Sequence, residues 1–537
     1  MWQHNYTPIG GSLPISALAA AAPIFLLLLM LGVLRKPAWM AALAGLATAA
    51  IVAVAVFGMP VPMMLSATAY GAAFGLFPIS WIVFWAIVLY RITLETGKFE
   101  IIKDSVGSLT RDSRLQALLI AFAFGAFIEG AAGFGTPVAV AASMLAGLGF
   151  SPFYAAAICL LANTAPVAFG SIGIPLVTLQ GITKLPLETL SANVGRICAP
   201  VSLIVPAYLI FVMSGWKAML GVLPAALGCG IAFAGAQFYV SNYLNPGLTD
   251  IISSLAAILT LVGILKVWKP SDSKVMQTAK VKVHPLPDIL LAWTPYLLLV
   301  VFVLLWGNDA VKKILNQGTL SIPWPGLDNL ISRVPPAVRS AAPYEAKYTF
   351  NFFSASGTAC MLATLVSAVV LHVSPAKYLR ILGAAARQLS LPTLTVACVL
   401  GLAYLMNYCG ATATLGLAFA ATGVAFPFFS AMLGWLGVFL TGSDTSANAL
   451  FGNLQVVTAD KLGLNPALMA ASNSSGGVMG KMISLQSIAV ACAATGMKPS
   501  EESKLFRFTL RHSIFLASLI GLVVLFYAYV MPEWARR

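Results

Sequence analysis

Charge is what this sequence has least of. Asp, Glu, Lys and Arg make up 9% of the residues, against roughly 25% in an ordinary soluble domain. With 59% of the chain hydrophobic, there is too little polar surface to face water on all sides. Strict apolar–polar alternation is also missing, which excludes a membrane barrel. The seven Cys form no CxxC pair and mostly sit in apolar runs, which argues against a disulfide frame or zinc site and for small core residues. The four His, at positions 4, 284, 372 and 512, fall at the ends of apolar runs or in loops, and no HExxH occurs. Haem and cluster ligation therefore lack their ligands, and "SASGT" at Ser354 lacks the buried His that an intramembrane serine protease needs. "GGVMGKM" is not a phosphate loop, because Ser475 stands where its first Gly belongs and Met482 replaces the Ser or Thr. No cofactor, metal or enzymatic activity is expected.

What is present is a series of long apolar runs, among them Leu13 to Leu34, Trp39 to Phe57, Ile251 to Val267, Ile289 to Trp306 and Ile514 to Val530. Each is near the ~20 residues that cross a bilayer core. The expected fold is an all-α polytopic membrane protein of about 12 spans, a single transmembrane domain over 1–537. The first run lacks a basic leader and a small-residue cleavage site, so it is expected to stay as the first helix. Lys and Arg cluster at Arg35 and Lys36, Arg91 to Arg114, Lys266 to Lys282, Lys377 to Arg387 and Lys498 to Arg511. These segments should face the cytoplasm, with the N-terminus outside. The net charge of +14 then reflects an anionic membrane face and lipid contact rather than nucleic acid, for which no basic-aromatic groove or motif exists. The polar stretches from Lys269 to Asp288 and Gly307 to Tyr348 lack the apolar periodicity of separate cores. Lys98 to Gln116 reads either as an interfacial amphipathic helix or as a solvated linker.

Four of the apolar runs are interrupted by helix breakers. "GAFIEGAAGFGTP" buries Glu129 and follows it with Gly130, Gly133, Gly135 and Pro137, and "ANTAPVAFGSIGIP" holds Asn163, Thr164, Pro166, Gly170 and Pro175. "FLTGSDTSANAL" and "SNSSGGVMGKMISLQS" repeat the pattern near the other end. Unpaired backbone at membrane depth costs several kcal/mol per group unless it faces protein or a watery cavity, so four breaks imply a polar site. Thr136 is placed to cap a half-helix that begins at Pro137. Three short matches, "FIEG" with "FLTG", "LGFSP" with "LGLNP" and Asn163/Gly170 with Asn473/Gly480, lie 312, 314 and 310 residues apart. Two structural repeats, about 60–215 and 350–530 joined by 216–349, with paired broken helices or re-entrant hairpins, are the sequence pointer to a secondary transporter.

The segments "GAFIEGAAGFGTPVAV", "NTAPVAFGSIGIP", "GWLGVFLTGSDTSANALF", "GGVMGKMISLQSIAVACAA" and "LFRFTLRHS" resemble the signature segments of the bacterial L-lactate permease family, along nearly the whole chain. One departure is Leu485, where related sequences often carry proline. The resemblance implies import of L-lactate, with D-lactate and glycolate, in symport with protons across the inner membrane. Sodium coupling, or a channel for small organic anions, is the alternative that the residues themselves leave open.

A 2-hydroxy monocarboxylate presents one negative charge and one hydroxyl. Half-helix N-termini, amides and hydroxyls can hold both, which makes Thr136, Asn163, Thr164, Ser443, Thr445, Asn473, Ser474 and Ser475 candidate substrate ligands. The competing reading is back-bonding within a turn for Ser and Thr, and helix-to-helix bonding for Asn. Intramembrane charges are costly and mark pathways. Lys481 either holds the substrate carboxylate, pairs with Asp444 or snorkels to the interface. Asp444 carries the proton or caps a half-helix starting at Thr445, and Arg196 is a pathway cation or sits at the headgroups. Glu129, a carboxylate among apolar walls, is the first candidate for proton coupling and Asp444 the second.

Overall fold

The computed structural model describes residues 1–133, 135–270, 282–338, 340–498 and 501–536. Most of the polar stretch from Lys269 to Asp288 lies outside them. Among the described residues eleven helices are long and apolar enough to cross a membrane, and thirteen if two bent pairs each count as one span. The chain is a multi-pass membrane protein, as its composition requires.

Helices α1 (Leu13–Gly32), α2 (Ala38–Val56) and α3 (Val61–Glu95) come first, α1 packed on α2. The amphipathic α4 (Lys98–Gly107) buries Phe99, Ile102 and Val106, so the linker from residue 98 is a surface helix, but it stops before residue 116. Helix α5 (Ser113–Ala131) then enters the core with its most apolar window wholly buried. It ends at Ala131, and α6 (Thr136–Gly147) packs back against α5. Next come α7 (Pro152–Ala162), a break bent by 62°, and α8 (Gly170–Thr183). The long α9 (Leu187–Gly221), α10 (Leu223–Tyr243), α11 (Thr249–Val267) and α12 (Leu286–Gly307) follow, then the short α13 (Asp309–Leu315), α14 (Ser356–Val370) and α15 (Pro375–Tyr408).

The second broken set repeats the order of the first. Helices α16 (Ala411–Phe419) and α17 (Phe426–Thr441) lead to a break at Gly442, from which α18 (Asp444–Leu462) returns along α17. Helix α19 (Pro466–Gly480), a break bent by 41°, and α20 (Leu485–Thr495) precede α21 (Glu502–Tyr529) and α22 (Pro532–Arg536). The two sets interlock, because α8 packs on α18 while α6 and α7 pack on α20. All four breaks are thereby drawn to one region.

Small residues set the closest approaches, as expected where apolar lipid offers helices no hydrophobic drive to associate. A Cβ added at Gly434 of α17 would overlap the Asn473 carbonyl of α19, and one at Gly476 would overlap the Ala431 carbonyl. Gly434→Ala or Gly476→Ala should destabilise the protein by about 1–3 kcal/mol through overpacking, read as a lower detergent melting temperature. Gly235→Ala, with open space around its Cβ, serves as the matched control and should leave melting unchanged or raise it.

The stretch from Gly307 to Tyr348 is better ordered than its sequence suggests. Strands β2 (Leu320–Pro323) and β5 (Lys347–Phe350) pair antiparallel, and β3 (Ile331–Arg333) lies between β4 (Ala342–Pro343) and β1 (Trp2–Gln3) from the start of the chain. His4 pins this cap to the helices. Its Nε2 donates to the Tyr408 carbonyl at 2.9 Å, leaving Nδ1 to accept from the Tyr6 hydroxyl at 3.3 Å. Burial pushes the imidazole down to about 4. Below about 6.5, the value for an exposed His, the opened segment takes up a proton that the closed cap refuses. Cap stability should thus be complete above pH ~6.5 and fall as pH drops toward ~4, by up to about 3 kcal/mol. Hydrogen exchange at the His4 amide, bonded to the Ser332 carbonyl, should accelerate over that window, and His4→Gln should flatten the dependence.

Candidate functional site

The four breaks line a common cavity of about 300 Å³. The first contributes Glu129, the second Gly170, Ser171 and Ile174, the third Thr441 through Ser446, and the fourth Lys481 and Gln486. Trp39, Leu391, Pro392, Thr395 and Val396 form the apolar wall opposite. A larger vestibule of about 710 Å³, edged by Arg35, Lys36 and Glu502, shares Ala38, Thr441, Gly442 and Gln486 with the cavity and so leads to it. The cavity is of the size and mixed character expected for a small ligand.

Local backbone explains how the breaks hold these positions. Before α6, Gly133 and Gly135 are left-handed, and the helix begins at Thr136 with Gly135 in the cap position and no side-chain cap bond. The sequence reading placed Thr136 itself as cap; the left-handed glycine shifts the start by one residue. At the second break Ser171, Ile172 and Gly173 are all left-handed, with φ of 47°, 61° and 75°. For Ser and the β-branched Ile this costs of order 1–3 kcal/mol each, and the turn is held by the Ser171 hydroxyl donating to the Ala132 carbonyl at 3.1 Å. The first and second breaks are thus tied together directly. At the third, Gly442 is left-handed and Ser443 Oγ accepts from the Ser446 amide at 3.3 Å. Ser443 is the cap and Asp444 the first helical residue, one residue earlier than the sequence reading of Asp444 as a cap.

Three charged side chains reach the cavity. Glu129 is 5% exposed and its carboxylate packs on Gly170, where a Cβ would lie 2.6 Å from Oε1. Lys481 and the Asn163 side chain stand beside it, and Oε2 has no hydrogen-bond partner among the described residues. Asp444 accepts from Ser474 Oγ at 2.5 Å and Asn448 Nδ2 at 3.3 Å through Oδ2, while Oδ1 is unpartnered among the described residues. Lys481 Nζ donates to the Gly442 carbonyl at 2.6 Å, crossing from the fourth break to the last carbonyl of the third. It reaches both acids electrostatically and has two donors left.

The other candidates divide. Ser443 and Thr445 line the cavity. Ser474 donates to Asp444 and the buried Ser475 stands beside the Cys198 thiol, and neither lines the cavity. Asn163 is buried beside the Glu129 carboxylate, outside the cavity lining. Thr164 bonds back to the Leu161 carbonyl at 2.8 Å. Asn473 is engaged on both sides, donating to Asn448 Oδ1 at 2.9 Å and accepting from Gln455 Nε2 at 3.1 Å. Neither Thr136, Thr164 nor Asn473 is among the cavity-lining residues. Arg196 bonds Asn242 at 2.8 Å and the Trp534 carbonyl, with its guanidinium over the Trp534 ring, so it holds α9 to the end of the chain and is not a cavity cation. Ser171, read from the sequence as part of the second break but not as a substrate ligand, and Gln486, which was not singled out, line the cavity. The glycine-flanked "GSIG" was the available signal for the first.

The L-lactate permease family model matches residues 16–531. An L-lactate permease of Bacillus subtilis (strain 168) is 45% identical over 97% of this chain and 97% of its own. A glycolate permease of Escherichia coli (strain K12) is 44% identical over 98% of each. Among solved structures, the YdaH transporter of Alcanivorax borkumensis matches with a TM-score of 0.45 and 12% identity over 87% of this chain and 86% of that one. With a match running almost from end to end at such identity, the chain belongs to the L-lactate permease family.

Proposed function

We propose that this protein imports L-lactate, with D-lactate and glycolate, by proton symport across the bacterial inner membrane, its N-terminus in the periplasm. The names of its relatives support the substrate class: L-lactate permease and glycolate permease. The observation that carries the coupling is the single cavity where four helix breaks bring Glu129, Asp444 and Lys481 together. Lys481 and the N-terminus of α18, with Ser443 and Thr445, would receive the carboxylate and hydroxyl. Two acids and one base leave the cavity at net −1 when all are ionised, and a lactate anion would make it −2. Protonation of Glu129 removes the like charge, so proton and anion favour each other's binding. The two broken-helix sets serve as the repeats, about 60–215 and 350–530, that move against each other in alternating access.

The test is uptake of radiolabelled lactate into proteoliposomes under a pH gradient, a sodium gradient or neither. Accumulation on the pH gradient alone supports proton symport, accumulation only with sodium replaces the coupling ion, and equilibration without accumulation indicates a channel. Competition reads the selectivity. Glycolate and D-lactate should compete with labelled L-lactate within about tenfold, whereas propionate, without the hydroxyl, leaves buried donors unpaired and should compete at least ~100-fold more weakly. Equal competition by propionate would remove the hydroxyl from the recognition scheme.

A further inference from the structure

Beside Glu129, and outside the cavity lining, lies a second carboxylate. Asp250 sits in the first turn of α11, 1% exposed, and neither of its oxygens has a hydrogen-bond partner among the described residues. The chain delivers it there through the turn Asn245–Pro246–Gly247, closed by the Gly247 amide donating to Asn245 Oδ1 at 2.8 Å. That turn packs on the left-handed Gly173, which a Cβ would bring to 3.1 Å from the Gly247 amide. Gly130, the residue after Glu129, completes the approach, since a Cβ there would lie 2.7 Å from Asp250 Cβ. Two glycines in different breaks thus leave room for one buried acid against another.

The surroundings point to a mobile proton rather than to a fixed bond. Gln237 Oε1, like Glu129 Oε2, has no hydrogen-bond partner among the described residues, so the region around Glu129 is polar and under-satisfied, a condition native interiors keep for functional groups or bound water. Asp250 is faced by Glu129 from α5 and by the Cys198 thiol from α9. Helices α8 and α10, packed against or beside α11, carry no acidic or basic residue. Among the described residues the cation that reaches the pair is Lys481, beside Glu129. Two carboxylates so placed resist carrying two negative charges at once.

We propose that Asp250 is a positioning acid of the coupling site, holding one proton jointly with Glu129 and passing it between the two carboxyls as the cavity fills and empties. In the transfer an O–H bond on Asp250 breaks as one forms on Glu129 and the charge of the pair is unchanged; the shared proton itself is taken up from the outer side before lactate binds and is lost to the inner side after lactate leaves, when Lys481 again faces the ionised pair. Asp250 stores the proton out of the cavity's reach while Lys481 neutralises the ionised Glu129; an arriving lactate anion draws on Lys481, and the proton moves to Glu129. This rests on the proton-symport reading above.

The experiment measures lactate accumulation and lactate exchange in proteoliposomes across pH for the parent, Asp250→Asn and Glu129→Gln. Removing the like charge beside Glu129 should move the pH midpoint of driven uptake of Asp250→Asn about one unit or more toward acid, with lactate exchange at saturating lactate within about threefold of the parent. A pH profile identical to the parent's would make Asp250 a permanently neutral packing residue and overturn the proposal. If Glu129→Gln still accumulates lactate on a pH gradient, the underlying coupling reading fails instead, whatever Asp250→Asn does. Should Asp250→Asn not fold, the infrared absorption of protonated carboxyls decides. Replacing Glu129 with Gln should move the remaining Asp250 titration toward acid, and an unmoved titration would overturn the sharing.

Discussion

Glu129→Gln should separate exchange from accumulation. One proton per lactate turns a pH difference of one unit into about tenfold accumulation, since each unit is worth ~1.4 kcal/mol. The Gln variant should fall to no accumulation while exchanging labelled for unlabelled lactate at a rate within about threefold of the parent. The reasoning is geometric. Glu129 is the carboxylate that the first break turns onto Gly170 of the second, with Lys481 of the fourth beside it, so its charge is felt by whatever the cavity holds. Gln keeps nearly the same shape and an oxygen toward Asn163, but mimics the protonated acid permanently. The carrier should then bind lactate regardless of pH and move it in either direction. Retained accumulation would move the proton to Asp444, the other cavity acid, whose unpartnered Oδ1 leaves it free to take one.

Much of this arrangement is legible in the residue order, and the gaps have physical causes. The spans follow from composition, and all four breaks fall where Gly, Pro and Asn interrupt apolar runs, because those residues either cannot continue a helix or pay little to leave it. Cap positions are less legible. Thr136 and Asp444 each carry a side chain able to cap, but the left-handed Gly135 begins one helix and the Ser443 hydroxyl caps the other. Asn163 and Asn473 look equivalent in their matched segments, yet one stands beside the Glu129 carboxylate and the other lies in a closed network with Asn448 and Gln455. Only tertiary contact separates them. Asp250 was invisible for a related reason: "NPGLTD" before an apolar run reads as an ordinary loop acid, and its burial depends on Gly130 and Gly173, more than seventy positions away. The strands after Leu320 are two to four residues long, too short to show alternation.

The largest loss of binding should come from Lys481→Met. Its ammonium is the cation among the residues lining this cavity, it is 8% exposed, and one of its three donors already holds the Gly442 carbonyl at the C-terminal end of α17. That bond both anchors the side chain and suits the partial negative charge of a helix C-terminus. The two remaining donors face a cavity that also contains Glu129 and Asp444, so Lys481 is at once the counter-charge of the acids and the natural seat of a carboxylate. Breaking a buried ion contact by removing one partner costs ~3–5 kcal/mol, and at ~1.4 kcal/mol per decade lactate should bind at least about 100-fold more weakly. Met keeps the length and apolar stem, so packing of the fourth break is preserved. Two effects are mixed in that loss, because the acids also lose their cation and the empty protein is destabilised. Adding Asp444→Asn separates them by removing one surplus negative charge. The double variant should recover melting temperature and membrane yield toward the parent while lactate binding, measured by calorimetry on the purified protein, stays lost. Recovery of binding in the double variant would mean that Lys481 only balances the acids and that the carboxylate sits on the α18 N-terminus without it.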